Sequence, residues 1–185
     1  MQQQVATTAT FEPMQIAAEG VPMHIGFRNR YAVECFDADG DLRWVDYIDN
    51  LVPNVGLDEL LDKFLKGAAY TAQFFVGLTG ATPTIAAGNN MASHAGWTDD
   101  TTYSNATRPA LTLGAVSGQS VSNSASVAVF NINGAGTIGG AFVTTNNTKG
   151  GTTGILFGVG AFAGGNRTVA NLDTLNVTVT ITATG

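Results

Sequence analysis

The most regular pattern in the chain lies near its end. Leu175, Val177, Val179 and Ile181 alternate with Asn176, Thr178, Thr180 and Thr182, a period of two that predicts a strand with one buried and one polar face. Shorter apolar runs predict strands over 110–116, 121–132, 137–145 and 154–162, separated by turns rich in Gly, Asn and Thr. In the second of these, Val127, Val129 and Ile132 are the candidates for the inner face. The Gly139-Gly140 pair in the third marks a bulge or a close backbone approach. Tyr31 to Asn50 reads as a hairpin, with Asp39-Gly40 as a two-residue type I′ turn. That turn would pair Cys35 with Trp44 and Phe36 with Arg43, and would gather Val33, Cys35, Leu42 and Trp44 on one face. Gln73 to Leu78 is a further short, dense strand.

One segment carries a helical period instead. Leu57, Leu60, Leu61, Phe64 and Leu65 fall at i, i+3, i+4, i+7 and i+8, the stripe of an amphipathic helix over about 55–66. Asn54 is placed to cap its first turn, and Asp62–Lys66 and Glu59–Lys63 are i, i+4 pairs in the favourable order. Gly67 is a natural stop just past its end. So short a helix does not persist alone in water, so the stripe is expected to lie on a sheet.

About eight short strands joined by Gly- and Asn-rich turns predict a mainly β, antiparallel β-sandwich or jelly-roll-like barrel with one short amphipathic helix. Residues 31–185 form this single domain. Residues 1–30 have no clean period, and Pro13 and Pro22 exclude a continuous helix there. Their apolar side chains are nevertheless numerous, which predicts an extended N-terminal arm that orders on a partner. The candidate partner-binding residues are Phe11, Met14, Ile16, Val21, Met23, Ile25 and Phe27, with Arg28 and Arg30 as docking cations. On this reading the arm is separable, and removal of residues 1–30 leaves a folded domain.

Charge changes the picture most. Charged residues are 12% of the chain, about half the usual ~25%. From Thr101 onward the only ones are Arg108, Lys149, Arg167 and Asp173. Depletion of charge is the compositional mark of interface cores, so this part of the surface is expected to be covered by neighbours. The overall charge of −6 opposes direct nucleic-acid binding, which needs clustered Lys and Arg. No run approaches the ~18 apolar residues of a membrane span, and the N-terminus lacks the basic and apolar regions of a signal peptide. Cys35 is the single cysteine, which leaves the redox compartment open.

No motif names a reaction. Asp37-Ala38-Asp39-Gly40-Asp41 resembles a calcium loop, but the positions that an EF-hand gives to Gly and Glu hold Leu42 and Ile48, and a hairpin turn explains the aspartates. His94 has Ser93, Asp99 and Asp100 nearby in sequence but no Gly-x-Ser-x-Gly elbow, and reads as a loop organiser. The Gly-rich segments lack a phosphate-loop lysine. Met91, Trp97, Phe130, Phe142, Phe157 and Phe162 read as core or interface. We therefore expect no enzymatic activity, no metal and no cofactor.

Several stretches carry a resemblance. They are Asn50-Leu51-Val52-Pro53-Asn54-Val55-Gly56-Leu57, Phe75-Val76-Gly77-Leu78, Met91-Ala92-Ser93-His94-Ala95-Gly96-Trp97-Thr98, Arg108-Pro109, Ser122-Asn123-Ser124-Ala125, Gly140-Ala141-Phe142, Lys149-Gly150-Gly151-Thr152-Thr153-Gly154 and Asp173-Thr174-Leu175-Asn176-Val177. Over residues 31–185 the chain resembles a family of small virion structural proteins of tailed bacteriophages, and the run around His94 and Trp97 is the most specific part. The resemblance implies a non-enzymatic particle component, described variously as capsid decoration, tail or fibre-associated. The implied partners are the major capsid protein or other virion proteins, with self-association, and the implied location is the capsid surface or the tail. Three readings follow: a capsid cement protein clamping adjacent major capsid subunits, a tail or fibre adaptor docked by its arm, and a carbohydrate-binding β-sandwich using Trp97, Tyr103 or Trp44 as stacking platforms.

Overall fold

The computed structural model of the chain describes residues 26–69 and 73–184. Eleven strands build two facing antiparallel sheets and a small ribbon: a sandwich, not a closed barrel. In chain order the strands are β1 (Gly26–Phe36), β2 (Leu42–Asn50), β3 (Phe74–Thr79), β4 (Ala110–Leu111), β5 (Ser120–Ser122), β6 (Ala128–Asn131), β7 (Gly136–Ile138), β8 (Gly140–Thr144), β9 (Leu156–Ala161), β10 (Arg167–Val169) and β11 (Thr174–Thr184). The first sheet runs β2-β1-β11, with β5 and β6 both on the far side of β11. The second runs β4-β3-β8-β9, and β7 pairs β10.

The strong alternation at the end of the chain becomes the middle of the first sheet. Leu175, Val177 and Val179 of β11 face inward with Tyr31, Val33 and Cys35 of β1, and meet Val76, Leu78, Ala141, Val143 and Phe157 of the second sheet. Because side chains alternate along a strand, Phe142 stands on the opposite face of β8 from Ala141 and Val143. There it joins Met91, Trp97, Leu156 and Val159 in a second, smaller apolar cluster. Residues 91–97 roof that cluster, with His94 stacked on Trp97 at 3.7 Å between ring centroids.

The helix departs from expectation. It begins at Pro53, whose carbonyl oxygen accepts the N–H groups of Gly56 and Leu57; Asn54 does not cap it, and its N–H donates instead to Ala87 O. Helix α1 (Asn54–Leu60) runs into a single π-turn over Leu61–Leu65. Asp62 does pair with Lys66 at 2.7 Å, and Gly67 takes the left-handed conformation past the end. The predicted stripe, however, faces away from the sheets except at Leu60. Gly56 is the buried residue, and a Cβ there would lie 3.2 Å from both Leu156 O and Phe157 Cα. Val55 packs on the smaller cluster and Leu60 on the main core. With Gly56 and Leu60 turned inward, Leu57, Leu61, Phe64 and Leu65 are left 40%, 54%, 83% and 69% exposed.

Four other expectations need correction. The first hairpin turn is not type I′, because Gly40 alone in it has positive φ, whereas type I′ needs two such residues. Asp37 instead organises a longer loop, accepting the N–H groups of Asp39 and Asp41 on Oδ1 at 3.0 and 2.9 Å. Cys35 still opposes Trp44, but a bulge places Phe36 opposite Leu42, which is exposed. In β6 Ala128 and Phe130 are buried rather than Val127 and Val129, while Ile132, just past the strand, is buried as expected. Finally, β1 starts at Gly26, so residues 26–30 belong to the sheet and pair with both β11 and β2.

Parts of both sheets' margins are covered. β2 is joined to β9 by reciprocal hydrogen bonds between Leu51 and Val159, both 3.1 Å, and Tyr47 O accepts Ala163 N–H. The hairpin at 114–120 lies along β5, and Ser104 and Asn105 along β6. Pro109 O accepts the Val76 N–H beside β4.

The Gly139-Gly140 pair acts as expected, as two close backbone approaches. A Cβ on Gly139 would fall 1.9 Å from Ala81 C, and one on Gly140 would fall 2.1 Å from Gly160 O. Gly140→Ala therefore forces backbone apart and is expected to destabilise the fold by about 1–3 kcal/mol. Gly134→Ala, where nothing lies within 4 Å, should stay within about 0.5 kcal/mol. Urea unfolding midpoints of the two variants check this.

Candidate interaction surface

The four charges of the C-terminal half are all used inside the protein. Arg108 is buried, and its Nε and Nη2 donate to Asp99 Oδ2 at 3.2 and 2.9 Å. Its remaining donors reach Asn146 O at 2.9 Å and Gly151 O at 2.7 Å, and it lies 5.1 Å above the Phe142 ring. Lys149 Nζ donates to Tyr103 O at 2.7 Å and sits 4.6 Å from the centre of the Tyr103 ring. Arg167 Nε donates to Asp46 Oδ2 at 2.7 Å. Asp173 is buried and takes Arg43, the Cys35 thiol at 3.6 Å and the Ala170 N–H at 2.8 Å. Arg108 and Asp173 are buried, whereas Lys149 is partly exposed and the Arg167 side chain is 34% exposed, so this half shows solvent little charge among much hydroxyl, amide, methyl and backbone.

Burial and neighbouring charges shift several ionisable groups. Burial pushes the Asp46 carboxyl up, but Arg167 and the N–H groups of Tyr47 and Gly164 outweigh it and hold Asp46 below the usual carboxylate range. Asp99 is raised, because burial exceeds the pull of Arg108 and of Gly150 N–H. Burial, then the neighbouring Asp173, push the Cys35 thiol up to about 12. Asp37, Asp39 and Asp41 serve their turn, and among the described residues no group of three or more His, Cys, Asp or Glu is placed to hold a metal ion. His94 stacks on Trp97, and its Nδ1 has no hydrogen-bond partner among the described residues, so it holds its loop by ring contact and not by the hydrogen bonds expected of a loop organiser. Trp97 and Tyr103 are buried, and Trp44 is half-buried edge-on against Phe162 with its N–H on Thr168 O. None of these three is free to act as a stacking platform.

Of the predicted partner-binding residues, Phe11, Met14, Ile16, Val21, Met23 and Ile25 lie outside the described residues. Phe27, Arg28 and Arg30 lie within β1, and Phe27 is exposed. The two arginines are cross-strand neighbours of β2 rather than part of an arm: Arg28 pairs with Asp49 at 3.2 Å, both exposed, and Arg30 lies 4.7 Å over the Tyr47 ring. With Thr180, Thr182 and Thr184 they line a shallow depression on the outer face of the first sheet. Sequence reasoning missed the outward apolar face of α1 and the Asp99–Arg108 pair. A hint of the latter lay in how few charges the second half has, since a lone Arg among Thr and Gly has to find its counter-charge in the fold.

No helix among the described residues is long and apolar enough to cross a membrane. Comparison with protein-family models and with curated protein sequences gives no match.

Two outcomes follow from the buried ion pairs and thiol. Asp46 is depressed in the folded state, so its contribution to stability is present above the ordinary aspartate range near ~4 and is lost as pH falls through its lower folded value. Asp46→Asn should therefore be less stable at pH 7 but lose less stability on acidification than the parent, as read from unfolding midpoints between pH 6 and 2.5. Cys35, with a thiolate population on the order of a thousandfold below that of an ordinary cysteine near ~8.5, should not react with a chromogenic disulfide reagent in the native protein at pH 8. It should react once in urea; rapid native labelling would contradict this environment.

Proposed function

We propose that this chain is a structural protein of a virion, a capsid cement (decoration) protein that clamps adjacent major capsid subunits. The observation that carries the reading is how sparse charge is on the C-terminal half, in which all four charged side chains have a partner within the chain. A free protein ordinarily keeps its surface charged and mixed, whereas the core of an interface is depleted in charge. Such a surface fits a domain that works under a neighbouring subunit. The resemblance over residues 31–185 supports a virion structural protein in general, of the capsid or of the tail.

The mechanism is mechanical. Packaged nucleic acid presses capsomers apart, and a rigid sandwich seated across a subunit boundary adds contact area to that boundary. A lasting contact of this sort buries upwards of ~1,000 Å². The apolar side chains among residues 1–25 are candidates for contact with a neighbouring subunit. Imaging of intact particles tests the proposal. It expects the protein over the whole shell in fixed ratio to the major capsid subunit. A handful of copies at one vertex would transfer it to the tail, and particles lacking it altogether would end the virion reading.

A further inference from the structure

We propose that the turn at Asn133-Gly134 is a site of self-modification, at which the folded chain converts Asn133 to aspartate and isoaspartate with loss of ammonia. The inference concerns the isolated protein and does not rest on the virion reading.

The turn joins β6 to β7 and is anchored at both ends. Ile132 N–H donates to Asp173 O at 2.8 Å and Asn133 N–H to Thr102 O at 3.1 Å, and Gly136 is paired with Val169 of β10. Between these anchors Asn133 is exposed, and its side chain makes no hydrogen bond to any described residue. The Gly134 N–H donates to none either. Open space surrounds Gly134, with nothing within 4 Å of the place a Cβ would take.

That leaves a nucleophile and an electrophile side by side. The Gly134 nitrogen, its proton drawn off by solvent base, bonds to Asn133 Cγ and closes a succinimide ring. The bond from Cγ to the side-chain nitrogen breaks, and that nitrogen takes up a proton and leaves as ammonia. Water then opens the ring. Addition at the side-chain carbonyl gives aspartate, and addition at the main-chain carbonyl gives isoaspartate. The sum is one water consumed and one ammonia released, with no oxidant or reductant. Glycine is the residue that best allows the step, because no Cβ shields its nitrogen and its backbone turns freely. An N–H committed to a ladder would not be free to attack.

The fold makes this position unlike the two asparagines that precede alanine or serine. Asn123 is buried; its Nδ2 donates to Val177 O at 3.1 Å and its Oδ1 accepts Val179 N–H at 2.7 Å. Asn105 Nδ2 donates to Val129 O at 3.1 Å, and its Oδ1 accepts Asn131 N–H at 3.0 Å. Held at both atoms, neither side chain is free to swing onto the nitrogen that follows it. The product also matters to the surface. After Thr101 the only acid is Asp173, which is buried, so conversion of Asn133 puts the first exposed carboxylate on this half and records the time the turn has spent in water.

Incubation of the folded full chain at pH 8, followed by peptide mapping in a mass spectrometer, tests this. The peptide holding Asn133 should gain the mass of an amide-to-acid exchange and become a substrate for enzymatic methylation of isoaspartate. It should convert at least about tenfold faster than the peptides holding Asn105 and Asn123, and at a rate close to its own rate in urea. Gly134→Ala, which has open space for its methyl group, should slow conversion by about tenfold or more while leaving the unfolding midpoint nearly unchanged. Conversion of Asn133 in urea but not in the folded chain would overturn the proposal, since the fold would then hold the turn out of reach of attack. Equal conversion at all three asparagines in the folded chain, or a Gly134→Ala variant that converts as fast as the parent, would overturn it as well.

Discussion

The pairing of β1 with β11 is the contact on which the rest of the structure depends. It runs without a break from Gly26–Thr184 to Phe36–Thr174, so the first described strand is held by the last. β11 is then the hub of its sheet, carrying β1 on one side and β5 and β6 on the other. Its inward Leu175, Val177 and Val179 are the floor of the main core. Contacts this distant in sequence close large loops before they yield any burial, and they make for slow, cooperative folding. The sandwich is complete only when the C-terminal strand is in place.

Around that seam the charges are arranged inward. Arg108–Asp99 joins two loops, Arg167–Asp46 joins β10 to β2, and Arg43–Asp173 joins β2 to the loop before β11. Arg108–Asp99 is the buried pair of the three, and removing one partner there leaves a costly unpaired charge. The same arrangement gives each charge of the second half a partner within the chain. The loops that roof the smaller cluster are fixed by Arg108 and by the His94–Trp97 stack, which explains why a segment with so little regular structure is well packed.

The fold class, the last strand, the first hairpin and most of the core were readable from periodicity, because an antiparallel sandwich buries alternate residues and the chain says which. Where reading failed, a local contact overrode the pattern. The stripe on α1 is apolar, but which side of a helix meets the sheet is decided by fit. Gly56 lets the helix backbone sit on Leu156 and Phe157, and that places the larger Leu and Phe side chains outside. The bulge opposite Phe36 came from an Asp37-centred loop that dipeptide turn rules do not anticipate. In β6 a run of Val and Phe offered two registers, and the pairing of Phe130 with Leu175 across β11 chose the other one. Of the interaction surface, the loss of charge was legible from composition. The internal use of the last four charges was not, since it depends on residues ~9–130 positions apart meeting in space.

Parts of the sheet margins are closed by the chain's own backbone. Leu51 bridged to Val159, the 114–120 hairpin along β5 and Pro109 beside β3 occupy main-chain groups at those places. An incoming strand, which relies on free main-chain donors and acceptors, has nothing to hold where these contacts lie. Anything that meets those stretches has side-chain faces to engage and no ladder to extend.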